Sequence, residues 1–359
     1  MQAILAFHIL PPAFAGPDAA PQMRAVRTLG PCKPPFSCVH IREVNLPTPT
    51  SAQALVRVNA TSVNPSDVDE VELGACTLGC GADVSGTVVA CSDCTDFKVG
   101  DEVWTLQRGA YADYVAVSED MLSRKPASIS HGDAGTIPEV GLTSLFSLKR
   151  TASDPGGPMP PPGSPWKKDN LTVVITAGSG GTGSVAIQMA KAWGAAHIAT
   201  ATTGAAGIAF VRSLGATIVT DYAKVDIFDA LPNNSVDVVY DNYGAEGTAD
   251  KAMGALRSGG VYLLMPHGEC YAKKTQGPPC LSAHPKPGVR QLNYDTGPDF
   301  DAHGKEGLDE LAELVSSGGL HATVGKTFRF ADAALAFNFS AGGGQGGVNA
   351  HLGKISMVM

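Results

Sequence analysis

Positive charge is scarce in this chain. Its 359 residues carry 26 Lys and Arg against 34 Asp and Glu, a formal net charge of −8. A surface of that sign repels phosphate backbones and anionic headgroups, which excludes nucleic acid and acidic membranes as main partners. No uninterrupted apolar run is long enough to span a bilayer. Charged residues of both signs make up only 17% and hydrophobic ones 44%, enough to build real cores, and the length suits two domains better than one.

Residues 1–22 lack the basic residues that normally open an export signal. They hold an apolar stretch and Ala13-Phe14-Ala15, which resembles a signal-peptidase site, but His8 interrupts the stretch and Pro11-Pro12 follows it. A removable leader and a plain extension ahead of the first strand both fit. Eight cysteines fall into four local pairs, Cys32/Cys38, Cys76/Cys80, Cys91/Cys94 and Cys270/Cys280. Close pairing suits disulfides in an oxidising compartment, and it equally suits free buried thiols. A zinc site from Cys76, Cys80, Cys91 and Cys94 is a lesser alternative, for want of a compact four-cysteine knot. Asn-x-Ser/Thr triplets at Asn59, Asn170, Asn233 and Asn338 are glycan acceptors if the chain enters a secretory compartment.

The rest of the chain is organised around residues 171–194, LTVVITAGSGGTGSVAIQMAKAWG. Leu171, Val173, Val174 and Ile175 form a short β-branched run that predicts a buried strand. It breaks into Gly178-Ser179-Gly180-Gly181-Thr182-Gly183, and an amphipathic helix follows to Trp193 with Gly194 as its cap. Between a strand and a helix, G-x-G-x-x-G marks a turn whose backbone N–H groups face a dinucleotide pyrophosphate at the helix N-terminus.

Ahead of this unit the pattern is mostly β. Short strands are expected at 24–26, 39–44, 54–58, 81–90, 99–104 and 109–115, with a turn-like break at Ser62–Asp67. A helical stretch over 132–149 and a proline-rich loop over 154–168 lead to the glycine turn. Beyond residue 171, strands at 196–202, 217–220, 236–240 and 260–265 alternate with helices at 205–214 and 246–257, which implies parallel βαβ units in a doubly wound sheet. Residues 266–305 defy assignment; a helix at 307–317 and strands at 324–328 and 353–358 close the chain.

Several segments in this order resemble the medium-chain dehydrogenase/reductase superfamily, and within it the zinc-independent quinone oxidoreductases that include zeta-crystallin. They are Val63-Asn64-Pro65-Ser66-Asp67, Gly81–Gly86, Phe97–Trp104, Gly109–Tyr114, Gly141-Leu142-Thr143-Ser144, the glycine turn with Ala186–Lys191, Ser213–Ala216, Val236–Asp241 and Gly353-Lys354-Ile355. The resemblance implies an α/β fold: a GroES-like β domain from residues 23–145 and 326–359, and a Rossmann parallel-sheet domain over 146–325. It also implies a homodimer, a nicotinamide cofactor in the cleft between the domains, and cytoplasmic residence, to which the N-terminal extension and paired cysteines leave the secretory pathway as the alternative.

The zinc-dependent branch carries a Cys where this chain has Asn64 and a His-Glu pair where it has Ala82-Asp83. Asn64 and Ala82 cannot supply zinc donors, so no catalytic zinc is expected. Hydride transfer from NADPH to a quinone or an α,β-unsaturated carbonyl is then the expected reaction, because such acceptors stabilise their own developing charge. By resemblance Asn64 is the polar catalytic candidate on the cleft; read locally, it is equally a loop Asn making an Asx-turn before Pro65. Relatives often hold a Tyr where this chain has Val68 or Asp69, which leaves the proton donor open.

The strand after the glycine turn ends Thr202-Thr203-Gly204 with no carboxylate to hold a ribose 2′-hydroxyl, which favours NADP over NAD. The hydroxyls of Thr202 and Thr203 are expected to face the 2′-phosphate, as is Tyr222 by resemblance. No Arg or Lys adjoins the threonines, so the preference is expected to be mild. The resemblance sets Thr143 by the nicotinamide or its phosphate and Asn242 at a strand edge beside the ring; Thr143 as a plain helix N-terminal hydroxyl, and His267 in the cleft, are further readings. The competing reading of the whole chain is an NADP-holding structural or binding protein with little turnover.

Overall fold

The computed structural model describes residues 20–77, 79–154, 157–167, 169–265, 270, 280–342 and 352–359. A ribbon of β1 (Gln22–Arg27) and β2 (His40–Asn45) runs antiparallel ahead of the first large sheet. That sheet is built from β3 (Gln53–Val63), β4 (Asp83–Ser92), β5 (Glu102–Leu106), β6 (Tyr114–Ser118), β7 (Ser123–Arg124), β14 (Val324–Arg329) and β15 (Lys354–Val358). Its order is β14-β15-β3-β4-β5-β7, with β6 also paired to β3. The last strand of the chain therefore lies beside β3, and residues far apart in sequence share one sheet.

Among the described residues this half of the chain has the α-helices α1 (Pro65–Leu73), the single turn α2 (His131–Ala134) and α3 (Pro138–Arg150). The turn-like break expected at Ser62–Asp67 is instead a helix start, with Asn64 extended as the N-cap and Pro65 in the first turn. Proline suits that position because its missing N–H would have no helical partner anyway. The helical stretch expected over 132–149 is two helices, since a new helix begins at Pro138.

The second sheet alternates strands with helices: β8 (Thr172–Ile175), α4 (Gly181–Ala192), β9 (His197–Thr202), α5 (Gly204–Leu214), β10 (Ile218–Asp221), β11 (Val236–Asp241), α6 (Thr248–Ala255), β12 (Leu256–Leu264) and β13 (Arg290–Asn293). All neighbours are parallel, in the order β10-β9-β8-β11-β12-β13. Sequence order reverses between β8 and β11, and that switch point opens a crevice at the strands' C-terminal ends. Strand β8 is buried throughout because both its faces are covered: Val173 and Ile175 pack with Leu142, Ile187 and Leu311, and Val174 packs with Val239, Ala252 and Tyr262. Each such side chain contributes roughly 1.5–3 kcal/mol by leaving water. Residues 266–305, unassignable by pattern, contain β13 and the start of α7 (Gly297–Ser316); α8 (Ala333–Ser340) was also invisible to it.

The four cysteine pairs are disulfides, with Cα–Cα distances of 5.8 Å for Cys32–Cys38, 4.8 Å for Cys76–Cys80, 5.7 Å for Cys91–Cys94 and 5.6 Å for Cys270–Cys280. Bridged pairwise, Cys76, Cys80, Cys91 and Cys94 offer no thiolate to zinc, which removes that alternative. The Ala13-Phe14-Ala15 site and His267 lie outside the described residues. Among the described residues no helix is long and apolar enough to cross a membrane.

Candidate active site

The glycine turn leaves β8 at the switch point and enters α4. Two of its glycines are there because nothing larger fits. A Cβ on Gly178 would stand 2.2 Å from Thr200 Oγ1, and one on Gly183 would stand 2.3 Å from the Ala177 carbonyl. Ala177 itself sits at φ +48°, an uncommon conformation for a residue with a side chain. Gly180 differs: a Cβ there would meet only the Ala177 carbonyl, at 3.4 Å, so its outer side is open. Gly180 thus leaves the backbone ledge of Ser179–Thr182 open on one side at the positive end of α4, the polarity that a pyrophosphate needs, while Lys354 and Val140 close the side of Gly181. Ser144 on α3 backs this ledge, its hydroxyl donating to the Thr182 carbonyl at 3.0 Å.

At the far end of β9, Thr202 is buried and its hydroxyl donates to Ser179 Oγ at 3.0 Å. The Thr203 hydroxyl donates to Asp221 Oδ1 at 3.1 Å. Both hydroxyl protons are therefore already in use, and a carboxylate absent from β9 arrives from β10, which pairs Asp221 with Thr202. Burial alone would raise the Asp221 carboxyl, but hydrogen bonds from the Ala223 N–H, Thr203 and Lys224 hold it below its ordinary value. Lys224 lies 3.3 Å from the Asp221 carboxylate with its side chain 76% exposed, so this corner carries one charge of each sign. Tyr222, whose N–H donates to the Thr202 carbonyl at 3.0 Å, is exposed beside them.

At the other end of the crevice, Asn242 follows β11 directly. Its N–H donates to Thr176 Oγ1 at 3.0 Å and its amide to the Thr176 carbonyl at 2.5 Å. Asp241 organises this corner, accepting from Thr176 Oγ1 at 2.7 Å and from the Tyr262 hydroxyl at 2.7 Å. Thr143 is buried in the second turn of α3, so it is not a helix N-terminal hydroxyl.

Asn64 is buried, and both ends of its amide are committed. Its Nδ2 donates to Asp83 Oδ2 at 2.9 Å and its carbonyl accepts from the Lys354 ammonium. Asp83, a β4 residue without solvent exposure, also accepts from the Ser62 hydroxyl and from the Glu139 N–H at 2.7 Å. Asp67 Oδ2 accepts from the Asn64 N–H at 2.8 Å and from the Tyr111 hydroxyl at 2.7 Å. Glu139 accepts from Ser66 at 2.8 Å through one oxygen, while the other is shielded from water without a hydrogen-bond partner. Lys354 lies 3.7 Å from the Asp83 carboxylate. Its stem lies over the glycine turn, where a Cβ on Gly181 would come within 2.6 Å of Lys354 Cδ.

One ammonium thus faces three carboxyls beneath the cofactor ledge. Burial pushes the Glu139 carboxyl up to about 8, with repulsion from Asp67 and Asp83 adding to it and Lys354 opposing. Burial likewise lifts Asp67 to about 6, against hydrogen bonds from Tyr111 and the Asn64 backbone. The Tyr111 hydroxyl is pushed up by burial and by Asp67, and so stays a donor. Asp67, Asp83, Tyr111 and Lys354 lie in segments that carry the family resemblance, yet the sequence assigns them no role in the site, nor does it assign one to Glu139 or Asp221. Among the described residues no three His, Cys, Asp or Glu side chains are grouped to hold a metal ion.

Residues 50–127 match the family described as Alcohol dehydrogenase GroES-like domain, and residues 214–347 that described as Zinc-binding dehydrogenase. A zebrafish (Danio rerio) protein, NAD(P)H oxidoreductase RTN4IP1, mitochondrial, is 31% identical over 324 residues, covering 79% of each chain. An Arabidopsis thaliana protein, NADPH-dependent alkenal/one oxidoreductase, chloroplastic, is 33% identical over 232 residues, 59% of this chain and 55% of its own. The solved quinone oxidoreductase of Coxiella burnetii superposes with a TM-score of 0.71 over 94% of this chain and all of its own, at 24% identity.

Proposed function

Since the chain belongs to the medium-chain dehydrogenase/reductase superfamily, in its quinone oxidoreductase branch, we propose that it reduces quinones or α,β-unsaturated carbonyls with NADPH and without zinc. The observation that carries this reading is the glycine turn at the switch point, open at Gly180, with Asn242 at the end of the neighbouring strand β11 and bonded to Thr176. Relatives named as alkenal/one and quinone oxidoreductases support a conjugated, electron-poor acceptor.

Gly178 to Gly183 and the α4 N-terminus would hold the pyrophosphate, Thr203, Tyr222 and Lys224 would flank the adenine ribose, and Thr143 and Asn242 would flank the nicotinamide. Bound there, NADPH supplies a hydride. The protein orients the acceptor beside it and excludes water. Asn64 serves this from behind, as a positioning residue that fixes Lys354 against the ledge. Burial of Asn64 and Lys354 at 2% and 4% exposure is the observation that favours the rival reading, cofactor binding without turnover. By family resemblance the working unit is a homodimer.

NADPH oxidation followed at 340 nm over a panel of quinones, enals and enones decides between the two. Turnover of at least one class is expected, and tight NADPH binding with no turnover anywhere would establish the rival. Fluorescence titration should show NADPH bound tighter than NADH by about tenfold or less, since Lys224 is half-neutralised by Asp221. Asp221→Asn should widen that gap by unmasking Lys224, and a reversed gap would refute the assignment. Activity should also survive prolonged dialysis against a strong chelator, because Asn64 and Ala82 occupy the positions of zinc donors; loss that zinc restores would overturn the metal-free mechanism.

A further inference from the structure

We propose that this chain carries N-linked glycans at Asn170 and Asn233 and acquires its four disulfides in the same oxidising, glycosylating compartment. The cysteine and asparagine arguments are independent of each other and of the catalytic reading.

All eight cysteines of the chain are bridged, and none is free. Such completeness is rare where glutathione and thioredoxin keep thiols reduced. Closing loops of 3, 4, 6 and 10 residues removes little chain entropy, so the bridges act locally. Cys32, Cys76 and Cys80 lie in one core with Phe36 and Tyr111, and Cys270 and Cys280 in another with Tyr262. In each closure two thiols give up two electrons and two protons to the disulfide of a thiol-exchange partner, through a mixed disulfide.

The four acceptor triplets are not equivalent in the fold. Asn59 lies within β3, half-buried, its side-chain oxygen accepting from Thr87 Oγ1 at 3.3 Å. Asn338 is half-buried inside α8. Asn170 and Asn233 are exposed, in turns just ahead of β8 and β11. Asn170 and Asn234 take left-handed backbone, φ +58° and +57°, which Asn tolerates better than most residues. Because the sheet is parallel, both turns lie at its N-terminal edge, a strand length of roughly 13–20 Å from the glycine turn and Asn242. Glycans there clear the crevice.

Transfer joins the Asn Nδ2 to C1 of an oligosaccharide carried on a lipid pyrophosphate. The C1–O bond breaks, the lipid pyrophosphate leaves, and the amide nitrogen loses one proton. Thr172, the hydroxyl residue of the first triplet, is only 7% exposed in the fold, so transfer there precedes formation of β8.

The test expresses the full chain, with its own N-terminus, in a eukaryotic host. The purified protein is alkylated under denaturing conditions without reduction, treated with peptide N-glycosidase, and mapped by mass spectrometry. No alkylated cysteine is expected, with Asn-to-Asp conversion at residues 170 and 233, and a discrete loss of mass on deglycosylation that Asn170→Gln/Asn233→Gln abolishes. Conversion is read on the unmutated protein, so the assignment survives a variant that folds poorly. Eight alkylated thiols, or unconverted Asn170 and Asn233, would overturn the proposal; a chain that never enters the secretory pathway leaves both asparagines unconverted. Occupancy at Asn59 or Asn338 instead would overturn the site assignment.

Discussion

Gly183→Ala is expected to lower NADPH affinity about 100-fold while leaving the chain folded. The added methyl would stand 2.3 Å from the Ala177 carbonyl oxygen and 2.8 Å from Gly178 Cα. Both are backbone atoms, so no side chain can swing aside. Ordinary contact is recovered only if the first turn of α4 moves outward by about 1 Å, and a displacement of that size costs on the order of two decades in a positioned site. Hydrogen bonds to phosphate suffer most, because the ledge presents rigid N–H groups at fixed spacing. The control is Gly254→Ala in α6, where the nearest atom to a new Cβ is Asn233 Oδ1 at 3.5 Å. That variant should bind NADPH normally and gain slightly in stability, since alanine favours a helix by up to about 1 kcal/mol. Fluorescence titration and far-ultraviolet circular dichroism measure both. Wild-type affinity in a folded Gly183→Ala protein would mean that the cofactor does not use this turn.

The second large effect is on stability. Lys354→Met should destabilise the protein by about 3–5 kcal/mol, because it strips the cation from a buried cluster while leaving the carboxyls in place. The ammonium bonds Asn64, approaches the Val63 carbonyl at 3.4 Å and lies 3.7 Å from Asp83, with a side chain only 5% exposed. Methionine matches the stem that packs on Gly181 and cannot replace the charge. The deficit should depend on pH. Glu139 is raised to about 8 and Asp67 to about 6 in the folded protein, so the native state binds more protons than the unfolded chain. Their stabilising contribution is complete below the ordinary carboxyl range and is lost as pH rises through about 6 for Asp67 and about 8 for Glu139. Thermal melts of Lys354→Met should therefore fall further below wild type at pH 9 than at pH 5.5. Glu139→Gln isolates the larger shift: it should equal or trail wild type at pH 5.5 and exceed it at pH 9. A pH-independent deficit, or one under 1 kcal/mol, would show that the cluster holds no ionised carboxyl against Lys354.

Local signals in the amino-acid order settled the nucleotide-binding unit. An apolar run, a glycine turn and an amphipathic helix are consecutive, and the conformation of each depends on residues within a turn or two. The same locality made the cysteine pairs legible, since partners 3 to 10 residues apart meet in almost any compact loop. It failed at Asn64-Pro65, where one dipeptide suits both a turn and a helix start, and packing of Val68 and Val71 against Phe337 favours the helix. What surrounds the ledge was decided by tertiary structure alone. Lys354 meets Asn64 across 290 positions because β15 returns beside β3, and Asp221 reaches Thr203 because β10 pairs with β9. Strand order of that kind is chosen by burial of whole faces, which no short window of sequence records, and the charges it brings together acquire their protonation only from the burial that follows.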